Sequence, residues 1–209
     1  MMAIGKLSND APVVLRSLPR RLRAGALGVA GLALLLAACG GSPPATFDLT
    51  AAAPPPARPL RASLRIGEPL AGVDLDSDRI LVRTGPQEIA TLADAKWAGR
   101  LPLLLQSRLA QTFQNAKLAG QVGQGANASA AYELQVDVRA FELDVPQSRV
   151  KIDLAVKIVA SGSGRPVATQ VFTADAPVAS TAPAAVSAAL DAALSQVMTQ
   201  IVAFVSARI

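Results

Sequence analysis

Tyr132-Glu133-Leu134-Gln135-Val136-Asp137-Val138-Arg139-Ala140 is the stretch that decides the fold, because apolar and polar side chains alternate along its whole length. The same alternation recurs over residues 150–158 and again over residues 167–171. A period of two is typical of strands that bury only one face. Turn residues separate the three runs, with Pro146 in the first gap and Ser161-Gly162-Ser163-Gly164 in the second. We therefore expect an antiparallel meander with one wet face.

Upstream of the meander, three shorter segments are also rich in strand formers. Residues 62–66 alternate, and residues 79–83 (Arg-Ile-Leu-Val-Arg) form a second run. Residues 84–87 are typical of a turn, so we expect residues 88–90 to pair with residues 79–83 in a hairpin. Residues 120–131 are small and polar, so we interpret them as a mobile loop.

Two segments have a helical period instead. Within residues 94–116, apolar side chains recur every three or four positions, and Pro102 suits a first turn that begins near Arg100. Thr181 is the expected N-cap of a C-terminal helix, with Pro183 in its first turn. Its apolar stripe consists of Val186, Leu190, Leu194, Val197, Ile201 and Phe204. The predicted fold class is α+β, with two layers: a mainly antiparallel sheet and two helices packed on one of its faces.

The N-terminal segment has the organisation of a secretory signal. Four arginines lie within residues 16–23, and residues 24–36 then carry no charge. That apolar run is shorter than the roughly 20 residues that a permanent membrane helix needs. We predict that residues 1–38 are a signal peptide and are removed.

Leu36-Ala37-Ala38-Cys39 looks like a lipobox, the site that signal peptidase II recognises in bacterial lipoproteins. In such signals the cysteine receives an S-diacylglyceryl group, the chain is cut before it, and the new amino group is acylated. The chain's single cysteine stands at the position that this chemistry requires. The alternative is an incidental cysteine after an ordinary signal peptide. Several acyl chains would anchor Cys39 firmly, at about 0.8 kcal/mol per buried methylene.

After the cysteine, residues 39–59 are rich in proline and favour a semi-rigid spacer that holds the domain off the membrane. Thr46-Phe47-Asp48-Leu49 interrupts this composition with two apolar residues at a spacing of two. It is either a short strand that docks onto the domain or part of a disordered tether. Residues 60–209 are predicted to form the folded domain.

Composition excludes several classes of function. Residues 1–38 carry five basic residues and one acidic residue, whereas the remainder has 15 basic and 14 acidic residues and no basic stripe that would bind nucleic acid. The chain has no histidine, and one cysteine cannot build a zinc site. Ser107, Ser129 and Ser161 have no histidine to activate them, and none of the three begins a Ser-x-x-Lys motif. We expect no enzyme, no cofactor and no metal.

Two further features suggest sites. Trp97 is the only tryptophan and is either a partner-contact anchor or a core anchor at the start of a helix. Asp74, Asp76 and Asp78 have the spacing of a cation loop, but the glycine and bidentate glutamate of an EF-hand are missing, which favours a solvated loop.

The order of these segments resembles the ABC-type transport auxiliary lipoproteins, a PqiC/YmbA-like family. The resemblance rests on residues 76–83 (DSDRILVR), residues 96–102 (KWAGRLP), residues 131–142 (AYELQVDVRAFE), the C-terminal helix and the lipobox. One departure is the stretch Ala45-Thr46-Phe47-Asp48-Leu49, where family members often have a tyrosine-rich segment.

The resemblance implies an accessory role in moving lipids across the envelope. Members of the family work with inner-membrane ABC permeases and periplasmic MCE-domain proteins, as the lipid-anchored component on the outer-membrane side. Gly40, where inner-membrane lipoproteins often have aspartate, agrees with export to the outer membrane; an inner-membrane lipoprotein is the alternative. Two other functions stay open: a module that itself binds phospholipid, and a structural or assembly lipoprotein of an outer-membrane complex. Edge strands also leave a homo-oligomer open.

Overall fold

The computed structural model describes residues 43–124 and 129–209, so the lipobox residues Leu36, Ala37, Ala38 and Cys39 lie outside the described residues. Within these residues the chain forms one mixed sheet and two α-helices. The strands are β1 (Ala45–Phe47), β2 (Leu64–Ile66), β3 (Leu70–Ala71), β4 (Arg79–Gly85), β5 (Glu88–Trp97), β6 (Val122–Gln124), β7 (Tyr132–Asp144), β8 (Arg149–Ala160) and β9 (Pro166–Pro177). The helices are α1 (Leu101–Asn115) and α2 (Pro183–Ser206).

The expected meander is confirmed in strands β7, β8 and β9. β7 pairs antiparallel with β8 from Tyr132–Ala160 to Asp144–Arg149, and β8 pairs antiparallel with β9. The apolar and polar side chains of β7 lie on opposite faces, as expected for a half-buried strand. Leu134, Val136 and Val138 are buried, and the polar residues between them face outwards. This part of the sheet therefore has one wet face and one face turned to the core.

The rest of the sheet corrects the prediction of a mainly antiparallel arrangement. Strands β2, β3 and β4 all pair parallel with β7, one after another along the side opposite β8. β1 also pairs parallel with β5, and β6 with β2. The sheet is mixed, because short strands from distant parts of the sequence return to β7 through long connections. The α+β class holds.

The β4–β5 hairpin is confirmed, but β5 is longer than expected and runs through Trp97. Residues 94–97, which the sequence assigned to the helical period, therefore belong to a strand. α1 begins after Arg100 with proline in its first turn, as expected. Part of the expected loop over 120–131 is the strand β6, and residues 125–128 lie outside the described residues.

The proline-rich segment is part of the fold as far as the structure describes it. The compact unit begins at Pro43, not at residue 60. β1 pairs with β5 from Ala45–Ala95 to Phe47–Trp97, and Leu49 is only 1% exposed. Of the two alternatives for residues 46–49, the structure has the docked strand, because Leu49 and Ala52 fill positions in the core.

The stripe predicted for α2 is buried in full. Its N-cap is Ala182 and makes no side-chain hydrogen bond, so the assignment of Thr181 as N-cap is wrong. Among the described residues, α2 alone is long and apolar enough to span a membrane, but half of its apolar window is buried in the domain. It is therefore a core helix that packs on β8 and β9.

Candidate functional site

An apolar surface depression lies between the proline-rich segment and α2. Residues 54–58 form one wall, and Thr199, Val202, Ala203 and Ser206 of α2, with its C-cap Ala207, form the other. We call this depression the proline groove. Its volume is about 420 Å³, and its lining is mainly apolar. A concave apolar surface of this kind suits an acyl chain or an apolar side chain of a partner.

The first wall is held in place by hydrogen bonds near and just beyond its C-terminal end. The backbone N–H of Ala57 donates to the carbonyl of Ala116 at 3.1 Å. Further on, the side-chain amide of Gln121 receives a bond from the Leu60 N–H at 2.8 Å and donates one to the Leu60 carbonyl at 2.5 Å. Residues 54–56 are prolines and cannot donate the backbone hydrogen bonds that a sheet requires. The hydrogen bonds of Ala57 and Leu60 therefore hold this wall in place.

The helical wall is apolar even where it carries hydroxyl groups. Thr199 Oγ1 donates to the Ser195 carbonyl at 2.9 Å, and Ser206 Oγ donates to the Val202 carbonyl at 2.8 Å. Because each hydroxyl hydrogen bonds the preceding turn of its own helix, the groove receives mostly methyl and methylene groups from α2.

A shallower depression continues the apolar surface to the edge strand β9. It shares Ala203 and Ala207 with the proline groove, and Phe172 and Phe204 lie in its lining. These two rings meet edge to face, with centroids 5.6 Å apart. The guanidinium of Arg208 lies 5.4 Å from the Phe204 centroid. A ligand on this surface would therefore meet aliphatic and aromatic groups beside a cation.

The structure places Trp97 in the core, at the end of β5. Its side chain is 1% exposed and meets Phe141 edge to face, with centroids 5.8 Å apart. This position is that of a core anchor, although on a strand and not at a helix start. A partner contact by Trp97 stays a prediction, and it would require the ring to leave this packing.

Two of the three aspartates of the cation-like loop, Asp76 and Asp78, pair with cations of the protein, and Asp74 is exposed. Asp76 lies 2.5 Å from Arg100, and this hydrogen bond is the main reason that the pKa of Arg100 is raised. Asp78 lies 3.7 Å from Lys96. Residues 43–124 and 129–209 contain no group of three or more His, Cys, Asp or Glu side chains placed to hold a metal.

The three serines considered as nucleophiles lie apart from one another. Ser161 is in the β8–β9 turn, and Ser129 is exposed ahead of β7. Ser107 lies on α1, where its Oγ accepts a hydrogen bond from Gln111 Nε2 at 3.5 Å. The structure brings none of them into the proline groove.

Sequence reasoning missed the proline groove, although one signal pointed to it. α2 has 24 residues and carries a single charge, Asp191, so the side opposite its apolar stripe is mostly alanine and hydroxyl residues. A helix that is polar on its outer face usually shows charged residues there. Alanines at 203 and 207 thus indicated a second apolar face, and residues 54–58 lie along part of it.

A model of the family described as ABC-type transport auxiliary lipoprotein component matches residues 47–202. The crystal structure of protein XCC0632 from Xanthomonas campestris is 34% identical in sequence, with a TM-score of 0.70 over 78% of this chain and 96% of that chain. A crystal structure of an uncharacterized protein is 15% identical, with a TM-score of 0.62 over 77% and 97% of the two chains. The second likeness concerns the fold alone.

An uncharacterized protein, bll6063 of Bradyrhizobium diazoefficiens, is 33% identical over 158 residues. The alignment covers 70% of this chain and 41% of that protein, so the chain spans less than half of its relative's length. The family match begins in β1 and ends in α2, and therefore includes much of the segment that its prolines suggested to be a spacer.

Proposed function

Because the chain belongs to the family of ABC-type transport auxiliary lipoprotein components, we propose that it is the outer-membrane-side adaptor of an ABC/MCE-type lipid transport system. Family membership makes the protein a membrane-anchored auxiliary lipoprotein. The lipid cargo, the MCE-domain partner, the ABC permease and the outer membrane belong to the proposal. The observation that carries it is the family match over residues 47–202, which takes in most of the unit that begins at Pro43.

The anchor is assigned to Cys39, preceded by Leu36, Ala37 and Ala38 as the recognition residues for signal peptidase II. Metabolic labelling with a radioactive fatty acid tests this assignment. Wild type should incorporate label and shift to the processed mass, whereas Cys39→Ser should do neither. Equal label in the variant would contradict the assignment. Ser42→Ala is the matched control, because it changes a small residue near the motif without removing the thiol.

An adaptor requires no chemistry of its own, and the proposal treats the protein as a non-enzyme. The composition supports this, since the full chain has no histidine to act as a general base at neutral pH. The proline groove supports a binding role, because its lining offers mainly apolar contact area.

Affinity purification from solubilised envelopes tests the adaptor role. The tagged wild-type protein should recover an MCE-domain protein or an ABC permease, and an unrelated tagged outer-membrane lipoprotein from the same cells should recover neither. Recovery of a β-barrel assembly partner instead would favour an assembly role. Recovery of no transport component, under conditions that keep other envelope complexes intact, would contradict the adaptor role.

Direct phospholipid binding is the second candidate function, and the proline groove is the observation that favours it. Arg58 contributes to the lining of this otherwise mainly apolar groove, so an anionic headgroup could pair with the guanidinium while an acyl chain lies on the apolar wall. Native mass spectrometry of the soluble domain separates the two functions. Co-purified phospholipid supports carriage of lipid, and an empty domain supports the adaptor.

A further inference from the structure

One surface of the domain lies where the N-terminal chain joins the fold. Pro44 shares a surface depression with Asp78, Arg79 and residues 91–96 of β5. We call these residues the tether surface. The strand β1 begins immediately after Pro44, at the pair Ala45–Ala95. Any anchor that precedes Pro43 in the sequence must therefore reach the domain at this surface.

The tether surface is shaped by a large bulge in β5. The hairpin pairs are Arg79–Lys96 and Leu81–Thr91, so β5 has three more residues than β4 between them. Asp94 lies in the bulge with a φ of 53°, a left-handed conformation that is uncommon for residues other than glycine. Bulges bend a strand and redirect its side chains. Here the bulge exposes Ala93 and Asp94 at the point where β1 begins, while Leu92 packs against the core.

The chain after Pro44 is fastened too well to serve as tether. The N–H of Ala98 donates to the Phe47 carbonyl at 2.7 Å. Asp191 accepts hydrogen bonds from the N–H and the hydroxyl of Thr50, at 2.7 and 2.6 Å. The N–H of Ala52 donates to Thr112 Oγ1 at 3.1 Å. With Leu49 buried as well, lengthening the tether beyond Pro43 would mean dismantling β1 and part of the core.

The remaining tether is therefore short. Four residue steps separate Cys39 from Pro43, and an extended chain covers at most about 14 Å in four steps. A free spacer over residues 39–59 would instead reach about 60 Å as a polyproline II helix. The headgroup layer of one leaflet is only about 5 to 8 Å thick. An acylated Cys39 thus keeps Pro43 close to the headgroups at all times.

We propose that the tether surface faces the phospholipid headgroups of the anchoring membrane in the lipidated protein. This inference rests on the proposed lipidation of Cys39. The charges of the surface suit that position, because it carries both signs: Asp78 pairs with Lys96 at 3.7 Å, and Arg79 and Asp94 are exposed. Phospholipid headgroups likewise present phosphate and, in phosphatidylethanolamine, ammonium groups.

The opposite end of the sheet points away from the membrane. Strand register places Thr91 level with Leu81, Glu142 and Lys151, whereas the β8–β9 turn follows Ala160, opposite Tyr132. About ten strand residues, or roughly 33 Å, separate these two levels along β7. The turn at residues 161–164 and the nearby strands β2 and β6 are thus the end available to proteins reaching from the other side of the envelope.

Headgroup quenching in vesicles tests the orientation. The lipidated protein, with Ala93→Cys or Ser163→Cys introduced, carries one free thiol, because the thiol of Cys39 is acylated. Each variant is labelled with the same fluorophore and placed in vesicles of phosphatidylethanolamine and phosphatidylglycerol with a nitroxide-headgroup lipid. We expect several-fold stronger quenching at residue 93 than at residue 163. Thr91→Cys, also exposed on the tether surface, should repeat the result for residue 93.

A tether-length variant is the control. Insertion of 20 Gly/Ser residues between Ser42 and Pro43 should leave the fold unchanged, because the compact unit begins at Pro43. It should lower quenching at residue 93 to the level at residue 163. Equal quenching at the two positions with the native tether would overturn the proposed orientation while lipidation stands. Protein that does not stay with the vesicles at all would overturn the lipidation of Cys39 itself.

Discussion

The guanidinium of Arg83 on β4 donates two hydrogen bonds to the carboxylate of Glu142 on β7, Nε to Oε1 at 2.7 Å and Nη2 to Oε2 at 3.1 Å. This bidentate pair lies where the hairpin joins the meander in parallel register, beside Leu81–Glu142. The Glu142 side chain is 6% exposed and that of Arg83 is 31% exposed. The hydrogen bonds to Glu142 are the main reason that the pKa of Arg83 is raised, so the guanidinium stays charged throughout the accessible pH range.

Arg83→Met should destabilise the domain by about 2 kcal/mol, because it leaves the Glu142 carboxylate buried and uncompensated. Removing one partner of a fully buried ion pair costs ~3–5 kcal/mol, and we expect a smaller loss here because the Arg83 side chain is partly exposed to water. Chemical denaturation of the domain measures the loss. The double variant Arg83→Met/Glu142→Leu should recover most of it, and a double variant as unstable as the sum of both singles would contradict the pairing.

This pair also shows what the sequence could and could not predict. The period-two runs identified β7, β8 and β9, because each strand buries one face and exposes the other. Alternation carries no information on partners, so it could not reveal that β4 lies parallel to β7, with Arg83 within reach of Glu142. The parallel ladder between β4 and β7 pairs residues that are 61 positions apart in sequence, and no local sequence feature marks this pairing.

The docking of the proline-rich segment could not be predicted from its composition for a related reason. Its composition is that of a spacer, and only Phe47 and Leu49 hinted at docking. What fixes it is tertiary: Asn115 Nδ2 donates to the Ala52 carbonyl at 2.7 Å, and Leu49 enters the core. The proline groove forms only where this segment packs beside α2. The sequence of either segment taken alone therefore does not predict it.

Leu49→Ala should lower the free energy of unfolding by about 2 to 4 kcal/mol, as expected for a buried leucine replaced by alanine. The reason is that the Leu49 side chain is 1% exposed and packs in the main hydrophobic core. Thermal and denaturant unfolding measure the change. Pro55→Ala is the matched control, because Pro55 is exposed in the same segment and should change stability by well under 1 kcal/mol. A Leu49 variant as stable as that control would contradict the docking of residues 45–52.

The contact between Asp48 and Arg108 predicts a pH dependence in the acid range. The pKa of Asp48 is lowered from its ordinary value of 3.8, first by the hydrogen bond from Arg108, 2.6 Å away, and also by the N–H of Leu49. A carboxyl group with a lowered folded-state pKa stabilises the fold above its unfolded pKa. That stabilisation is lost as the pH falls through the folded pKa.

Asp48→Asn should therefore be less stable than wild type at pH 7, and the difference should shrink as the pH falls below about 4. The Asp48 side chain is 52% exposed. Solvent screening therefore limits the effect to about 0.5 kcal/mol. Denaturation midpoints across this pH range measure it. In an Arg108→Gln background, the Asp48 substitution should have little further effect, and a difference that persisted unchanged at low pH would show that the ion pair is not its cause.

Filling the proline groove should separate binding from folding. Ala203 is exposed and lines the groove, so Ala203→Trp would occupy it without entering the core. If the groove takes an acyl chain, this variant should bind a fluorescent fatty acid at least several-fold more weakly than wild type, with thermal stability nearly unchanged. Ala192→Trp is the matched control, since residue 192 is exposed on the same helix and outside the groove. Equal binding by wild type and both variants would exclude the groove as the lipid site. Equal weakening in both variants would point to a disturbance of α2 itself, because the two positions share the helix but not the groove.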